Sequence, residues 1–288
     1  MHNCARYLIF FQYIGTKYSG VVKVPQHELV KKGVQDHLED AIRRLKPINL
    51  VSLSVSSRTD RGVHALSNSA HFDLQRKNDK PPFAEDIIVQ ALNTHLKEEQ
   101  IGYLSLSQNH RALRVPDNFH ARFRTNSRTY VYRIALGIPH HSLLPFTERH
   151  LCWNLSNTEL DVGAMREAAT LLVGTQDFST FRAISSDIHL KNPVKTLDVV
   201  SIQPGRSFVH THFHREIPFW EITFTSRSFL YKQLKEILLA RDSLAYPQAM
   251  VAPPDGLFLT RVDYRETDLQ FSQQTSEEQC ISSGSSEE

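Results

Sequence analysis

Ser57-Arg58-Thr59-Asp60-Arg61-Gly62-Val63-His64-Ala65 sets one carboxylate between two arginines, just ahead of a glycine and a histidine. The residues before it, Leu50 to Val55, mix apolar side chains with serines and read as a short strand. The Asp60-Arg61-Gly62 step reads as a tight turn, because glycine takes a positive φ at little cost. A carboxylate flanked by cations stays ionised, since nearby opposite charge favours the charged form. That is the state a nucleophilic aspartate requires. On spacing alone an ordinary Asp-x-Gly turn is the simpler account, because turn aspartates are common.

Outward from this loop, strands and helices alternate. Arg6–Tyr13 has strand composition, with Leu8, Phe10 and Gln12 on one face. Gly33 to Leu45 has helical periodicity, its stripe formed by Val34, Leu38, Ala41, Ile42 and Leu45. Val51–Val55 and Ala70–Leu74 are strands on either side of the loop. Pro82 suits the first turn of a helix reaching Leu96, with Ile87, Ile88, Ala91 and Leu92 inward. Ile101–Leu106 and Thr129–Leu136 follow as strands. A helix over Asn157–Val173 turns Leu160, Ala164, Ala168, Leu171 and Leu172 inward, and Gly174 stops it. Strands are expected again at Leu197–Gln203, Phe219–Thr225 and Leu257–Tyr264. The pattern predicts an α+β protein on a mixed, mainly antiparallel sheet with helices on one face. It divides into a first half, 1–110, a second half, 111–264, and a tail, 265–288.

The chain has 288 residues, enough for a large core, and 40% of them are hydrophobic. No apolar run is long enough to span a bilayer. Residues 265–288 hold one arginine against six acids, so the rest of the chain carries a net +7 where the whole carries +2. A tail so rich in Ser, Gln and Glu is expected to be disordered. Cys4, Cys152 and Cys280 are scattered and odd in number, which argues against a disulfide framework and for a reducing, intracellular compartment. No secretory signal or ordinary presequence is visible. His210, His212 and His214 alternate, but no cysteine or carboxylate cluster supports a metal site.

Residues 111–133 carry Arg111, Arg114, Arg122, Arg124, Arg128 and Arg133 against one acid, Asp117. His120, Phe119, Phe123, Tyr130 and Tyr132 are interleaved. Guanidinium groups engage phosphates, and rings stack on unpaired bases, so the stretch suits a single-stranded nucleic acid. A solvated basic strand pair with its aromatics in the core fits the same residues equally well.

The loop at Asp60 resembles the G-R-T-D-A-G-V-H-A loop of the TruA-type tRNA pseudouridine synthases, with Ser57 and Arg61 as departures. Asn118-Phe119-His120-Ala121-Arg122-Phe123, Ser127-Arg128-Thr129-Tyr130-Val131-Tyr132 and Asp177-Phe178-Ser179-Thr180-Phe181-Arg182 resemble further segments of that family in order. So does Ser228-Phe229-Leu230-Tyr231-Lys232-Gln233-Leu234-Lys235. The likeness runs from about Tyr7 to Tyr264 and is greatest to the synthase-like branch of animals.

The resemblance implies two ferredoxin-like (RRM-like) halves whose sheets join around a central basic cleft. It implies tRNA as partner, no metal or organic cofactor, a homodimer by analogy, and a mitochondrial or cytoplasmic location. Asp60 matches the catalytic aspartate, and Tyr130 the tyrosine that stacks on the target uracil. Lys235 stands where the family has an arginine aimed at the aspartate. Arg58, His120, Arg122 and Arg128 are implied RNA contacts; Arg61, where the family has a small residue, is expected to hold an RNA phosphate or to compensate in part for the missing arginine. His64 is either a filler of the space left by the base or a structural loop residue. Val21 stands where the family has a tryptophan. After Lys235 the chain lacks a helix's worth of residues that the family carries. Two alternatives to an enzyme follow: a non-catalytic RNA-binding protein, or an inactive shortened isoform.

Overall fold

The computed structural model describes residues 4–23, 31–102, 112–183, 192–207, 216–239 and 252–270. Arg111, the outer part of the strand expected at 101–106, the histidines at 210, 212 and 214, and residues 271–288 lie outside the described residues.

The first half runs β1 (Cys4–Tyr13), α1 (Val34–Arg43), β2 (Ser54–Val55), β3 (His64–Gln75), α2 (Glu85–His95) and β4 (Ile101–Gly102). All its pairings are antiparallel, in the order β4-β1-β3-β2. A short strand, β5 (Leu113–Val115), adds to the other end of the β1 edge that β4 uses. The second half runs β6 (Thr125–Ala135), β7 (Trp153–Asn154), α3 (Val162–Leu172), β8 (Gly174–Asp177), β9 (Val194–Leu197), β10 (Val199–Gly205), β11 (Phe219–Ser226), α4 (Gln233–Leu239) and β12 (Leu257–Tyr264). Its main strands lie in the order β12-β6-β11-β10, again antiparallel. Both halves are therefore βαββαβ units with the same strand order, which is the ferredoxin-like arrangement the resemblance implied.

One pairing merges them. β12 is antiparallel to β6 but parallel to β3, through Phe258 opposite His64 and Leu259 opposite Ala65. The result is a single ten-stranded sheet. β8 and β9 form a separate two-stranded ribbon.

The near-continuous apolar run of β1 follows from burial on both faces. Tyr7, Ile9, Phe11 and Tyr13 join a core with Val34, Leu38, Ala41 and Ile42 of α1 and Ile88 and Leu92 of α2. Leu234 of α4 and Ala169 of α3 belong to the same core, so these four helices cover one face of the sheet. Leu8 and Phe10 point the other way, onto Val115, Phe119 and Ala121. Leu269 of a final short helix, α5 (Glu266–Leu269), packs there too, and Asp268 pairs with Arg124 at 3.3 Å. The first residues of the acidic tail are thus folded against the body, where composition alone predicted disorder.

α3 corrects a second expectation. The Asp161 carboxylate caps it by accepting from the Ala164 amide at 2.9 Å, and the inward stripe is Val162, Met165, Ala169 and Leu172. Leu171 is 71% exposed. This helix has two apolar stripes, and periodicity cannot choose between them; packing against the sheet does.

Candidate active site

The topology puts the Asp60 loop at the seam. β3 offers one edge to two partners: His71 and Ala70 pair with β2, while His64 and Ala65 pair with β12. The chain leaves β2 at Val55 and re-enters at His64, so residues 56–63 fill the gap where the edge changes hands.

The loop is held from every side. Ser56 N–H donates to Ser69 O at 2.7 Å. The fully buried Asn68 donates to Ser57 O at 3.1 Å and accepts from the Ser56 hydroxyl at 2.9 Å. The Tyr13 and Thr59 hydroxyls lie 2.7 Å apart, and Val21 N–H donates to Thr59 O at 3.2 Å. Val21 thus supports the loop although it lacks the bulk of the tryptophan. The expected turn is formed: Val63 N–H donates to Asp60 O at 3.2 Å, with Gly62 at φ +81°. A Cβ at Gly62 would also lie 2.8 Å from Pro254 Cγ, so both backbone and space require glycine.

Lys235 reaches this loop from α4. Its Nζ lies 2.7 Å from Asp60 Oδ2, with side-chain exposures of 8% and 28%. Below them, paired residues form a row across five strands: Tyr13, Ala65, Leu259, Tyr130 and Phe224. Tyr130 is buried and meets Phe229 edge-on, ring centroids 5.2 Å apart. Burial pushes its phenol up to about 12; the Arg128 charge and the Ser57 hydroxyl act against that, and the Asp60 charge adds to it. Phenol and carboxylate therefore share one electrostatic environment.

A relative 44% identical over 93% of this chain and 95% of its own length is the tRNA pseudouridine synthase-like 1 of Xenopus laevis. The chain belongs to the tRNA pseudouridine synthase family. Residues 9–124 match the family model described as tRNA pseudouridine synthase. The human tRNA pseudouridine synthase-like 1 is 44% identical over 90% of each chain. The tRNA pseudouridine synthase A of Afipia carboxidovorans is 36% identical, covering 90% of this chain and 99% of its own. The alignment with the frog protein is 291 residues long, more than this whole chain, although only 93% of the chain takes part. That relative thus carries residues this chain lacks, which agrees with the shortening inferred after Lys235. As a tRNA pseudouridine synthase by family, the chain has an isomerase fold whose implied substrate is tRNA.

Two implied RNA contacts of this family member are internal. Arg128 is buried and spends its guanidinium on the protein. Its Nε donates to Ser57 Oγ at 2.8 Å; Nη2 donates to Ser56 O at 2.7 Å and to Arg122 O and Thr125 Oγ1 at 3.2 Å; Nη1 donates to Arg227 O. It cannot also reach a phosphate, and it ties the loop to the second half instead. His64 is fully buried: Nδ1 accepts from Gly15 N–H at 3.0 Å, Nε2 meets Asp255 O at 3.2 Å, and the ring stacks on Phe258. Of its two readings the structural one fits this geometry. Arg133, counted with the basic stretch, is buried in an ion pair with Glu148 at 3.0 Å.

Arg58, Arg61 and Arg122 are exposed, and His120 is half-buried against His71. Arg122 lies over the exposed Phe123 ring at 5.8 Å. The shared donor Arg128 links the Arg122 carbonyl to the Ser56 carbonyl, at the start of the loop that carries Asp60. Asn68 and Tyr13 were missed from the sequence. The run of three small polar residues Ser67-Asn68-Ser69, all buried in the middle of β3, was the available signal.

Proposed function

We propose that this chain converts uridine to pseudouridine within tRNA, with Asp60 as the catalytic carboxylate. The observation that carries this is the Asp60–Lys235 pair at 2.7 Å, held at the seam beside the buried Tyr130 phenol. The target base must leave the stack to reach it. Asp60 acts on the bound nucleotide, the bond from N1 to the ribose breaks, the uracil turns, and C5 takes the ribose carbon. The C5 proton leaves and N1 gains one, so the reaction is redox-neutral and balanced within one nucleotide. Lys235 orients Asp60 through their 2.7 Å ion pair. Tyr130 offers its ring to the uracil and a neutral hydroxyl for proton transfer. Arg58, Arg61, His120 and Arg122 bind the RNA around the extruded base.

The test is pseudouridine formation in tRNA by the purified chain and by Asp60→Ala, with thermal melts of both. Turnover by the wild type that disappears in a folded mutant supports the proposal. A lysine in place of the family's arginine favours one other reading, a non-catalytic RNA-binding protein; tRNA binding without turnover would establish it. Absence of a cooperative melt would establish the inactive isoform. A homodimer and an intracellular site, mitochondrial or cytoplasmic, belong to the same proposal; light scattering and imaging of a tagged chain check them. Among the described residues no helix is long and apolar enough to cross a membrane.

A further inference from the structure

Beside the turn that carries Asp60 lies a cavity of about 450 Å³ lined by Thr16, Arg61, Gly62, His150, Pro254 and Asp255. Four chain segments meet there, from both halves of the sheet. Of its lining residues only Arg61 has a part in the proposed function, as an RNA contact. His150 Nδ1 lies 3.6 Å from Asp255 Oδ1, and its backbone has a φ of +62°. A non-glycine residue in that conformation is uncommon and persists only when its surroundings enforce it.

The segment that carries His150 is firmly anchored. The buried Glu148 pairs with Arg133 and accepts from the Ser207 hydroxyl at 2.8 Å. The Arg149 guanidinium donates to Leu144 O at 3.1 Å and Ser142 O at 2.8 Å. A row of imidazoles leads outward from the cavity: His150 to His141 at 5.7 Å and His141 to His140 at 4.4 Å between ring centroids. All three are exposed.

We propose that this cavity is a second nucleotide subsite, which takes the tRNA residue flanking the target uridine. The inference rests on the tRNA-modifying reading of the Asp60 site. Arg61, next in chain to Asp60, binds the connecting phosphate, and the Thr16 hydroxyl adds a hydrogen bond. The flanking base lies against the His150 and His141 rings, because flat rings accept any base face. The Asp255 carboxylate, 3.6 Å from His150 Nδ1, orients that ring toward the phosphate. Seating both neighbours of one phosphate would hold the backbone while the target base is turned out.

The experiment measures tRNA dissociation constants across a salt series for the wild type, Arg61→Ala and His150→Asn. Asparagine tolerates the positive φ, so the second variant keeps the local backbone. Each substitution is expected to weaken binding about tenfold, the size of one lost contact. Arg61→Ala should also flatten the salt slope by about one phosphate's worth. His150→Asn should leave that slope nearly unchanged. Where the wild type turns over, His150→Asn should raise KM while kcat stays within about twofold of the wild type. Binding within twofold of the wild type in both variants, with intact thermal melts, overturns the subsite. Should His150→Asn melt early, His141→Ala, the middle ring of the row, supplies the same comparison. The binding arms do not depend on turnover, so a wild type that binds tRNA without forming pseudouridine defeats the catalytic proposal and leaves this one to its own result.

Discussion

Lys235 Nζ and Asp60 Oδ2 sit 2.7 Å apart, and the two residues come from opposite halves of the sheet. Asp60 lies on the turn that precedes β3, whereas Lys235 lies in the first turns of α4. Ala252 N–H donates to Lys235 O at 3.4 Å, which links that helix to the approach to β12. The charge pair thus spans the seam where β12 runs beside β3. The ammonium is a point charge without the planar fork of an arginine, so it holds the carboxylate by distance rather than by two parallel bonds.

Lys235→Met removes the charge and keeps most of the volume. The carboxylate then loses its partner and its orientation, and a displacement of about 1 Å at a reacting group costs about 10²-fold in rate. Lys235→Met is expected to lower kcat by that order with tRNA binding largely kept, and Lys235→Arg to retain activity. Single-turnover assays check this; a kcat for Lys235→Met within about twofold of wild type would count against the pair's role.

Arg128 and Arg122 separate structural from surface arginine. Arg128→Met leaves the buried Ser57 Oγ, Ser56 O and Thr125 Oγ1 without this donor, and each unsatisfied buried group costs about 1–3 kcal/mol. Urea denaturation should show a loss of about 3 kcal/mol or more, not rescued by Arg128→Lys, which lacks the fork. Arg122→Ala should change stability by less than about 0.5 kcal/mol and weaken tRNA binding. Equal stability of the two variants would refute the assignment.

Tyr130 carries a hydroxyl that burial keeps neutral until about pH 12, above the ordinary 10. Its ionisation therefore does not set the alkaline limb of activity below about pH 11. Tyr130→Phe keeps the ring against Phe229 and is expected to lower kcat about 10²-fold, the lower end for a lost proton-transfer group. Tyr130→Ala should raise KM as well. A difference spectrum at 295 nm between wild type and Tyr130→Phe should show no tyrosinate from this residue at pH 10.5.

Two buried imidazoles govern acid stability. Burial lowers both His64 and His71 to about 4; for His71 the neighbouring His120 and Arg6 charges act in the same direction. In the unfolded chain an imidazole takes its proton near 6.5. Between those values the unfolded state binds more protons, so stability falls as pH drops from about 6.5 toward 4. The full effect is on the order of 2–3 kcal/mol per histidine. His71→Gln, which keeps an acceptor for the Ala121 amide, should show a shallower decline between pH 6.5 and 4.5 in denaturant titrations. An identical decline would remove His71 from the account.

The order of elements and the Gly62 turn were legible because they are local. Helical stripes such as Val34, Leu38, Ala41 and Ile42 repeat within one element, and a glycine after a turn aspartate signals its own backbone. Even so, β3 begins at His64, inside the loop's own motif, because its first residues find a partner in β12. α2 starts at Glu85 rather than Pro82, and Ile87 of its expected inner face is 42% exposed. The basic stretch showed its composition but not its fate. Arg122 and Arg128 differ only in which way the backbone turns them, and one faces solvent while the other bonds five acceptors.

From residues alone came the α+β class, the carboxylate on its glycine turn and the likeness that named its family, since each rests on neighbours in the chain. The tertiary structure alone decided that β12 would run parallel to β3, that Asn68, Tyr13 and Arg128 would grip the loop, and that an ammonium from α4 would meet Asp60. Those outcomes depend on burying apolar surface between segments remote in sequence, and local conformational preference carries no information about which distant partner wins.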